Sequence, residues 1–301
     1  MIGAASQPIR YVEPVFRPPS EAKSLILPVT DGCSWNKCTF CEMYTAPQKK
    51  FRARDESEVL DMIRRCGELF GARARRVFLA DGDALVLPTH RLMRILEAIG
   101  EHMPAVERVS SYCLARNLRR KSVAELAELR EAGLRMAYLG AETGDELVLE
   151  RVNKGETFDS MREALDKLGE AGITRSVMIL NGLGGEIHSD RHADNSARLV
   201  NAVKPEFLAT LVVSFPQGER RFRDAYPEWE PLDQVGLFRE MRRFLGALEL
   251  DGTTFRSDHA SNWLVLRGTL NADKQRLLDQ LDLAIQQPGQ AGLRPEWARG
   301  L

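Results

Sequence analysis

The chain has 301 residues, 44% hydrophobic and 28% charged, and its 42 Lys and Arg against 43 Asp and Glu leave a formal net charge of −1. That size and composition suit a globular α/β protein that needs no disulfide staples. The balanced charge excludes a field built for long nucleic acid or an acidic membrane surface. No apolar run approaches the roughly 20 residues of a membrane-spanning helix, and Met1 to Ser20 lacks the apolar core of a secretory signal. Five cysteines without such a signal point to a reducing compartment, with the cytoplasm as the default.

In chain order, short β-leaning apolar runs alternate with amphipathic helical stretches. The first run, Ser24–Thr30, leads straight into a cysteine cluster. Val59, Leu60, Ile63, Leu69 and Phe70 then make the apolar face of a helix. Arg76–Ala80 reads as a strand ending in Asp81–Gly82–Asp83, and a helix around Leu92–Ile99 precedes the strand Arg108–Cys113. Leu126 and Leu129 mark a helix closed by Gly133, which suits a C-cap. The alternation continues through the strand Met136–Gly140, the helix Met161–Ala171 stopping at Gly172, the strand Ser176–Leu180, the helix around Ala197–Val200 and the strand Phe207–Val213. Repeated strand–helix–strand units imply a parallel sheet with right-handed crossovers. Six of them suit an open twisted sheet or an incomplete barrel, and in both, ligands sit at the C-terminal strand ends, where Gly, Asp and Cys concentrate here.

After Pro216 the character changes. Gln217–Arg221 is polar and loop-like, a helix spans about Val235–Leu250, Thr253–Ser257 reads as a seventh strand, and a helix runs from Asp273 to about Ile285. The tail from Gln286 to Leu301, with its Gly and Pro, is expected to be loosely held. The expected division is an N-terminal extension over 1–20, a barrel-like domain over 21–215 and a small α-rich extension over 216–301 that closes the barrel.

Cys33, Cys38 and Cys41 place three thiols in one loop just past a strand. Thiolates are the preferred ligands of iron–sulfur clusters. Three of them anchor three irons of a cubane and leave the fourth iron open. The alternative is a tetrahedral zinc site, for which a fourth ligand is missing locally, since the next histidine is His90 and Cys66 and Cys113 stand apart.

The stretch from Ser24 to Tyr44, with its strand, Thr–Asp–Gly lead-in and close-set cysteines, resembles the radical S-adenosylmethionine (SAM) superfamily. Branches containing the Elongator catalytic subunit and oxygen-independent coproporphyrinogen oxidase look similar. The usual spacing puts three residues and then two between the cysteines, whereas four separate Cys33 from Cys38 here. The resemblance implies a partial (β/α)6 barrel with a small α-rich C-terminal extension. It also implies a [4Fe–4S] cluster on Cys33, Cys38 and Cys41, and S-adenosylmethionine as the second cofactor.

Several further roles follow from the same resemblance. Phe40, before the last cysteine, would pack near the adenine. Asp81–Gly82–Asp83 is similar to the family's Gly–Gly–Glu motif, which receives the methionine amino group, with either Asp81 or Asp83 as the acid. Glu142, in Gly140–Ala141–Glu142–Thr143–Gly144, would meet the ribose hydroxyls, with Lys154 facing the methionine carboxylate. Asn181 and Gly182 open a glycine-containing segment beside the adenine. Single residues of this kind have plainer readings as well, since lone lysines are mostly solvated and Gly–Asp turns are mostly just turns.

For the substrate, Tyr112 and Cys113 end the third strand, and His259 lies in the polar run Ser257–Trp263. His259 would act as an acid or base near neutral pH. Buried packing for Cys113 and a hydrogen-bonded turn for His259 are the alternatives. Cys66 sits on an amphipathic helix and reads as packing. His188 and His192 share a helical face if that helix starts early enough.

The implied activity is reductive cleavage of S-adenosylmethionine to a 5′-deoxyadenosyl radical that abstracts hydrogen from a small molecule. A reductant such as flavodoxin or ferredoxin would be the partner, with no membrane and no nucleic acid. The alternatives are an RNA- or porphyrin-directed member of the superfamily performing methyl transfer or oxidation, and a non-catalytic zinc- or iron-binding protein.

Overall fold

The computed structural model describes residues 8–299, which form two compact units. The first comprises residues 8–36, Met43–Tyr138 and Lys167–Ile173. Its strands are β1 (Leu25–Pro28), β2 (Thr30–Asp31), β3 (Arg52–Ala53), β4 (Arg76–Ala80) and β5 (Arg108–Cys113), and its helices are α1 (Glu56–Phe70), α2 (Thr89–His102), α3 (Ala115–Leu118) and α4 (Val123–Glu131). β1 pairs with β4 and β4 with β5, both in parallel, so Ile26 lies beside Phe78 and Phe78 beside Ser110. Each crossover carries a helix whose apolar stripe faces inward: Val59, Met62, Ile63 and Cys66 on α1, Leu92, Ile95, Leu96 and Ile99 on α2. The starts of α1 and α4 follow ordinary capping chemistry. Asp55 caps α1 through the amides of Ser57 and Glu58, and Ser122 with Glu125 forms a reciprocal capping box on α4.

The strand β6 (Leu134–Glu142) passes from the first unit into the second after Tyr138. The second unit, 139–166 with 37–42 and 174–299, holds the helices α5 (Glu146–Arg151) and most of α6 (Phe158–Glu170). There follow β7 (Thr174–Asn181), α7 (Gly185–Val203), β8 (Phe207–Val212), α8 (Arg220–Ala225), α9 (Gln234–Ala247), β9 (Thr253–Ser257), β10 (Leu266–Leu270) and α10 (Lys274–Gln286). β7, β8 and β9 are parallel neighbours, and β10 returns antiparallel on β9. The expected seventh strand is therefore present and continues the parallel sheet, and the C-terminal segment adds a hairpin partner to its helices. The six expected strands of the barrel are all found within a residue or two of their predicted limits. The fold is α/β, of the partial-barrel class that the family resemblance implies and one of the two arrangements the alternation allowed.

In the first unit Ile26, Phe78, Ala80, Met136 and Tyr138 form a buried cluster with Tyr112 packed against it. Phe78 meets Tyr112 edge-on at 5.1 Å, and Tyr112 meets Tyr138 at 6.1 Å. Beside this aromatic group lies Glu21, wholly buried, which accepts hydrogen bonds from Tyr138 Oη at 2.5 Å and Arg108 Nη2 at 2.7 Å, and a further one from Ser24 Oγ. Burial and this carboxylate push the Tyr138 phenol above its ordinary pKa.

The C-terminal polar run forms a hydrogen-bonded turn. Asn262 donates to Thr210 O (2.9 Å) and accepts from Val212 N (2.9 Å), so the polar run Ser257–Trp263 completes the open backbone at the end of β8. Tail residues hold this turn in place: Arg294 donates to the carbonyls of Asp258, His259 and Asn262, and Arg299 donates to Ser261 O and stacks 3.3 Å over Trp263. The tail over its described residues is thus tied down by two arginines, which composition alone did not reveal. Residues 300 and 301 lie outside the described range.

Replacing Glu21 by Ala strands a partly buried guanidinium and a buried phenol, and is expected to cost about 3 kcal/mol in urea unfolding; Glu21→Gln should cost less. His259 is held below its ordinary pKa by burial and then by Arg294, against an opposing pull from Asp258. Below about pH 6.5 the unfolded chain takes up a proton that the native imidazole refuses, so stability falls with acidification down to the native pKa, at no more than about 1.4 kcal/mol per pH unit. The variant His259→Asn should flatten that part of a stability–pH profile.

Candidate active site

In the first unit the approach to the cysteines is pinched shut by β2 and β3, which pair antiparallel. Buried Asp31 reinforces the pair, accepting from Arg52 Nε and Arg54 Nη2, each at 2.7 Å. Gly32 follows with φ of +69°, and a Cβ there would lie 2.0 Å from Lys49 O, so only glycine lets the two ends of the loop come this close. Gly82 sits under Cys33. Its amide donates to Gly32 O at 3.0 Å, and an added Cβ would meet Cys33 Cβ at 2.9 Å.

The two acids flanking Gly82 differ in what they hold. Asp83 is fully buried; it accepts from Ser34 N (2.8 Å), Ser34 Oγ and Asn117 Nδ2 (3.1 Å), and so anchors the residue after Cys33. Asp81 accepts from Lys49 Nζ at 2.5 Å and Gly32 N at 3.2 Å, both through Oδ2. Its Oδ1 is buried without a hydrogen-bond partner among the described residues. Burial pushes both carboxyls above their ordinary pKa, against the pull of Lys49 on Asp81 and of Ser34 on Asp83. The Arg116 guanidinium lies 3.8 Å over the Trp35 ring.

In the second unit Cys38–Thr39–Phe40–Cys41 closes a tight turn, with Cys41 N donating to Cys38 O at 3.3 Å and Thr39 N to Val152 O at 3.0 Å. Arg221 Nη1 donates to Cys41 O at 2.9 Å and Nη2 to Cys38 O at 2.7 Å, so a single guanidinium bridges both cysteine carbonyls. Phe40 packs on the buried cluster of Val148, Val152, Leu180, Leu183, Phe222, Tyr226 and Trp229. Beside the turn, Lys154 Nζ pairs with Glu142 Oε1 at 3.0 Å, the side chains only 5% and 7% exposed, and Nζ lies 5.8 Å from the Phe40 ring centroid. Burial opposes the Lys154 charge, but Glu142 and the thiols of Cys38 and Cys41 outweigh it and hold the ammonium's pKa above its ordinary value.

Glu142 takes a left-handed φ of +67°, uncommon without glycine. Its carboxylate folds back over Gly140, where a Cβ would lie 2.1 Å from Oε1. Glu142 Oε2 is buried with no hydrogen-bond partner among the described residues.

Asn181 is buried at the end of β7, and Gly182 N donates to Glu240 Oε1 at 2.6 Å. The other Glu240 oxygen accepts from Ser189 Oγ at 2.6 Å. His192 is buried with Nδ1 2.8 Å from Thr143 Oγ1, whereas His188 stacks on Tyr226, so the two histidines of α7 face different partners. Cys113 is buried, and so is Cys66, whose thiol burial raises to about 11. His259 Nδ1 accepts from Ser261 N at 3.1 Å, leaving Nε2 to carry the proton of the neutral ring. Tyr112 stands in the aromatic group of the first unit, and His259 in the C-terminal turn of the second.

Sequence reasoning missed Lys49, Ser34, Asn117, Arg221 and Glu240. Buried lysine and glutamate have no local signature, and Arg221 lies 180 residues from Cys41. Within neither unit do three described His, Cys, Asp or Glu side chains gather as a metal cage by themselves. The first unit has an open cleft of about 1,080 Å³ whose lining mixes Arg116, Arg120 and Lys121 with Glu97, Glu125 and Glu128. No described helix is long and apolar enough to cross a membrane.

Comparison with solved structures finds the same fold in several enzymes. Coproporphyrinogen III oxidase (HemN) from Escherichia coli, a radical SAM enzyme, superposes with a TM-score of 0.55 at 17% identity, over 74% of this chain and 52% of its own. Methylornithine synthase (PylB) gives 0.51 at 17% identity, over 76% and 64%. The cobalamin- and [4Fe–4S]-bound methyltransferase TsrM from Kitasatospora setae gives 0.51 at 16%, over 63% and 36%. This chain thus spans between about a third and two thirds of the length of those three proteins. No curated protein matches it by sequence. The model of the radical SAM superfamily matches residues 27–197, more than half of the chain. The chain therefore belongs to the radical SAM superfamily, enzymes built around a [4Fe–4S] cluster and S-adenosylmethionine.

Proposed function

We propose that the chain cleaves S-adenosylmethionine reductively, with a [4Fe–4S] cluster held by Cys33, Cys38 and Cys41, to start radical chemistry on a small molecule. The observation that carries this reading is the buried Lys154–Glu142 pair beside the Cys38–Cys41 turn, with one glutamate oxygen unpartnered. A buried acceptor left unsatisfied is costly and rare, and a ligand hydroxyl would complete it. The donor chemistry fits the cluster as well. The motif offers thiols alone, the soft ligands iron–sulfur clusters take, and Lys154 and Arg221 supply positive charge beside two of them.

Held by Cys33, Cys38 and Cys41, the cluster would supply the one-electron reducing chemistry that cleavage of S-adenosylmethionine needs. The chain's own residues bind and orient. Glu142 Oε2 accepts from a ribose hydroxyl while Lys154 neutralises its other oxygen and faces the methionine carboxylate. Asp81 is the better acceptor for the methionine amine, because its Oδ1 is unfilled whereas both oxygens of Asp83 are taken by Ser34 and Asn117. Phe40, fixed in its apolar cluster, offers a face to the adenine, and Asn181 with Gly182 lines the same purine. Tyr112, Cys113 and His259 remain the candidates for contact with the substrate. A flavodoxin- or ferredoxin-like protein is the reductant this reading calls for, and the cytoplasm its setting.

The test is anaerobic reconstitution with iron and sulfide followed by dithionite and S-adenosylmethionine. Wild-type protein should release 5′-deoxyadenosine. Cys38→Ala should lose both that product and the brown absorption, and Cys66→Ala should keep both. Tetrahedral zinc in the purified protein, with no product after reconstitution, would favour the non-catalytic alternative. Glu142→Ala should retain its iron yet bind S-adenosylmethionine about tenfold or more weakly, the cost of one charged hydrogen bond; equal affinity would remove Glu142 from the site.

A further inference from the structure

We infer that Arg221 is a positioning residue for the Cys38–Cys41 turn, and that its charge raises the reduction potential of the cluster bound there. The inference rests on the proposed cluster assignment. Arg221 lies in the segment that reads as a plain polar loop in the sequence. In the structure it is the second residue of α8, and the next residue, Phe222, is buried in the cluster against which Phe40 packs. Phe222 also meets Phe215 at 4.7 Å and Trp229 at 5.0 Å. The backbone that carries Arg221 is therefore fixed by a packed aromatic anchor, and its guanidinium reaches back across the chain.

Among the described residues that guanidinium meets no carboxylate. Its two terminal nitrogens go to the carbonyls of Cys38 and Cys41, at 2.7 and 2.9 Å, which are the two ends of the turn. A rigid planar fork with two parallel donors suits this task, because it fixes the separation of the two acceptors as well as their direction. A second tie runs from Gln217 N to Glu42 Oε2 at 3.0 Å, so the same segment grips the residue after Cys41. The consequence is electrostatic as well as geometric. A permanent positive charge bound to the peptide groups of two thiolate ligands favours the reduced, more negative cluster, and net charge is among the determinants of iron–sulfur potentials. Arg221 is exposed, so solvent screens this effect to a moderate size.

The experiment compares reconstituted wild type, Arg221→Gln and Arg221→Lys by iron content, by the EPR signal of the reduced cluster and by mediated redox titration with dithionite as electron source. Arg221→Gln keeps a donor and loses the charge. At a fixed poise its ratio of reduced to oxidised cluster should fall about three- to tenfold, tenfold corresponding to 59 mV for one electron. Arg221→Lys should recover most of that ratio. If Arg221→Gln titrates like wild type, or if Arg221→Lys falls as far as Arg221→Gln, the assignment is overturned. If Arg221→Gln holds no iron, Arg221→Lys decides: iron retained near the wild-type potential supports the role of the charge, and iron lost or a lowered potential contradicts it. A wild type that takes up no cluster would fail the proposed function instead, and is told apart by its own iron content.

Discussion

Thiolates crowded into a short loop repel one another and leave the loop's own peptide groups short of partners. The structure meets both demands with groups drawn from far along the chain. Around Cys38 and Cys41, Arg221 satisfies two carbonyls and Val152 one amide, and buried Lys154 sets an ammonium beside the sulfurs. Around Cys33, the loop is pinned through Gly32, Ser34 and the Asp81–Gly82–Asp83 turn. Removing the buried ties of Lys154, Asp81 or Asp83 would leave a polar or charged group unpaired inside the protein, which is expensive. The exposed Arg221 ties, by contrast, hold the geometry of the turn.

Buried ion pairs recur wherever the chain does chemistry by this reading: Lys49 with Asp81, and Lys154 with Glu142. Such pairs add little net stability compared with apolar side chains of the same size. Their retention at strand ends is better explained by orientation. Each holds one carboxylate oxygen in place and leaves the other, Asp81 Oδ1 or Glu142 Oε2, as a buried acceptor. The left-handed backbone at Glu142 is a local cost of the same kind, accepted where a side chain must be aimed.

The strands of the barrel were legible because each is a short, mainly apolar run between helical stretches, and α1, α2 and α6 show clean amphipathic stripes. β2 and β3, at two residues each, are below the reach of any periodicity. β10 went unread because Leu266–Leu270 alternates about a central glycine and has only a hairpin partner. The cysteines were legible as chemistry because no helix or strand sets three thiols so close. Their supports were not: Arg221 and Lys49 look like any solvated cations until tertiary structure brings them to carbonyls and to Asp81. The polar run around His259 drew attention for its composition, and the structure gives Asn262 and Ser261 the work of finishing β8.

The account stands on a cubane with three protein sulfurs and one iron corner available to S-adenosylmethionine. The most direct measurement is the EPR and ENDOR spectrum of the reduced, reconstituted protein before and after adding S-adenosylmethionine labelled with ¹⁵N in its amine and ¹⁷O in its carboxylate. The account predicts a change of the cluster signal on addition and hyperfine coupling to both labels. A cluster signal that ignores saturating S-adenosylmethionine and shows no coupling to either label would contradict it.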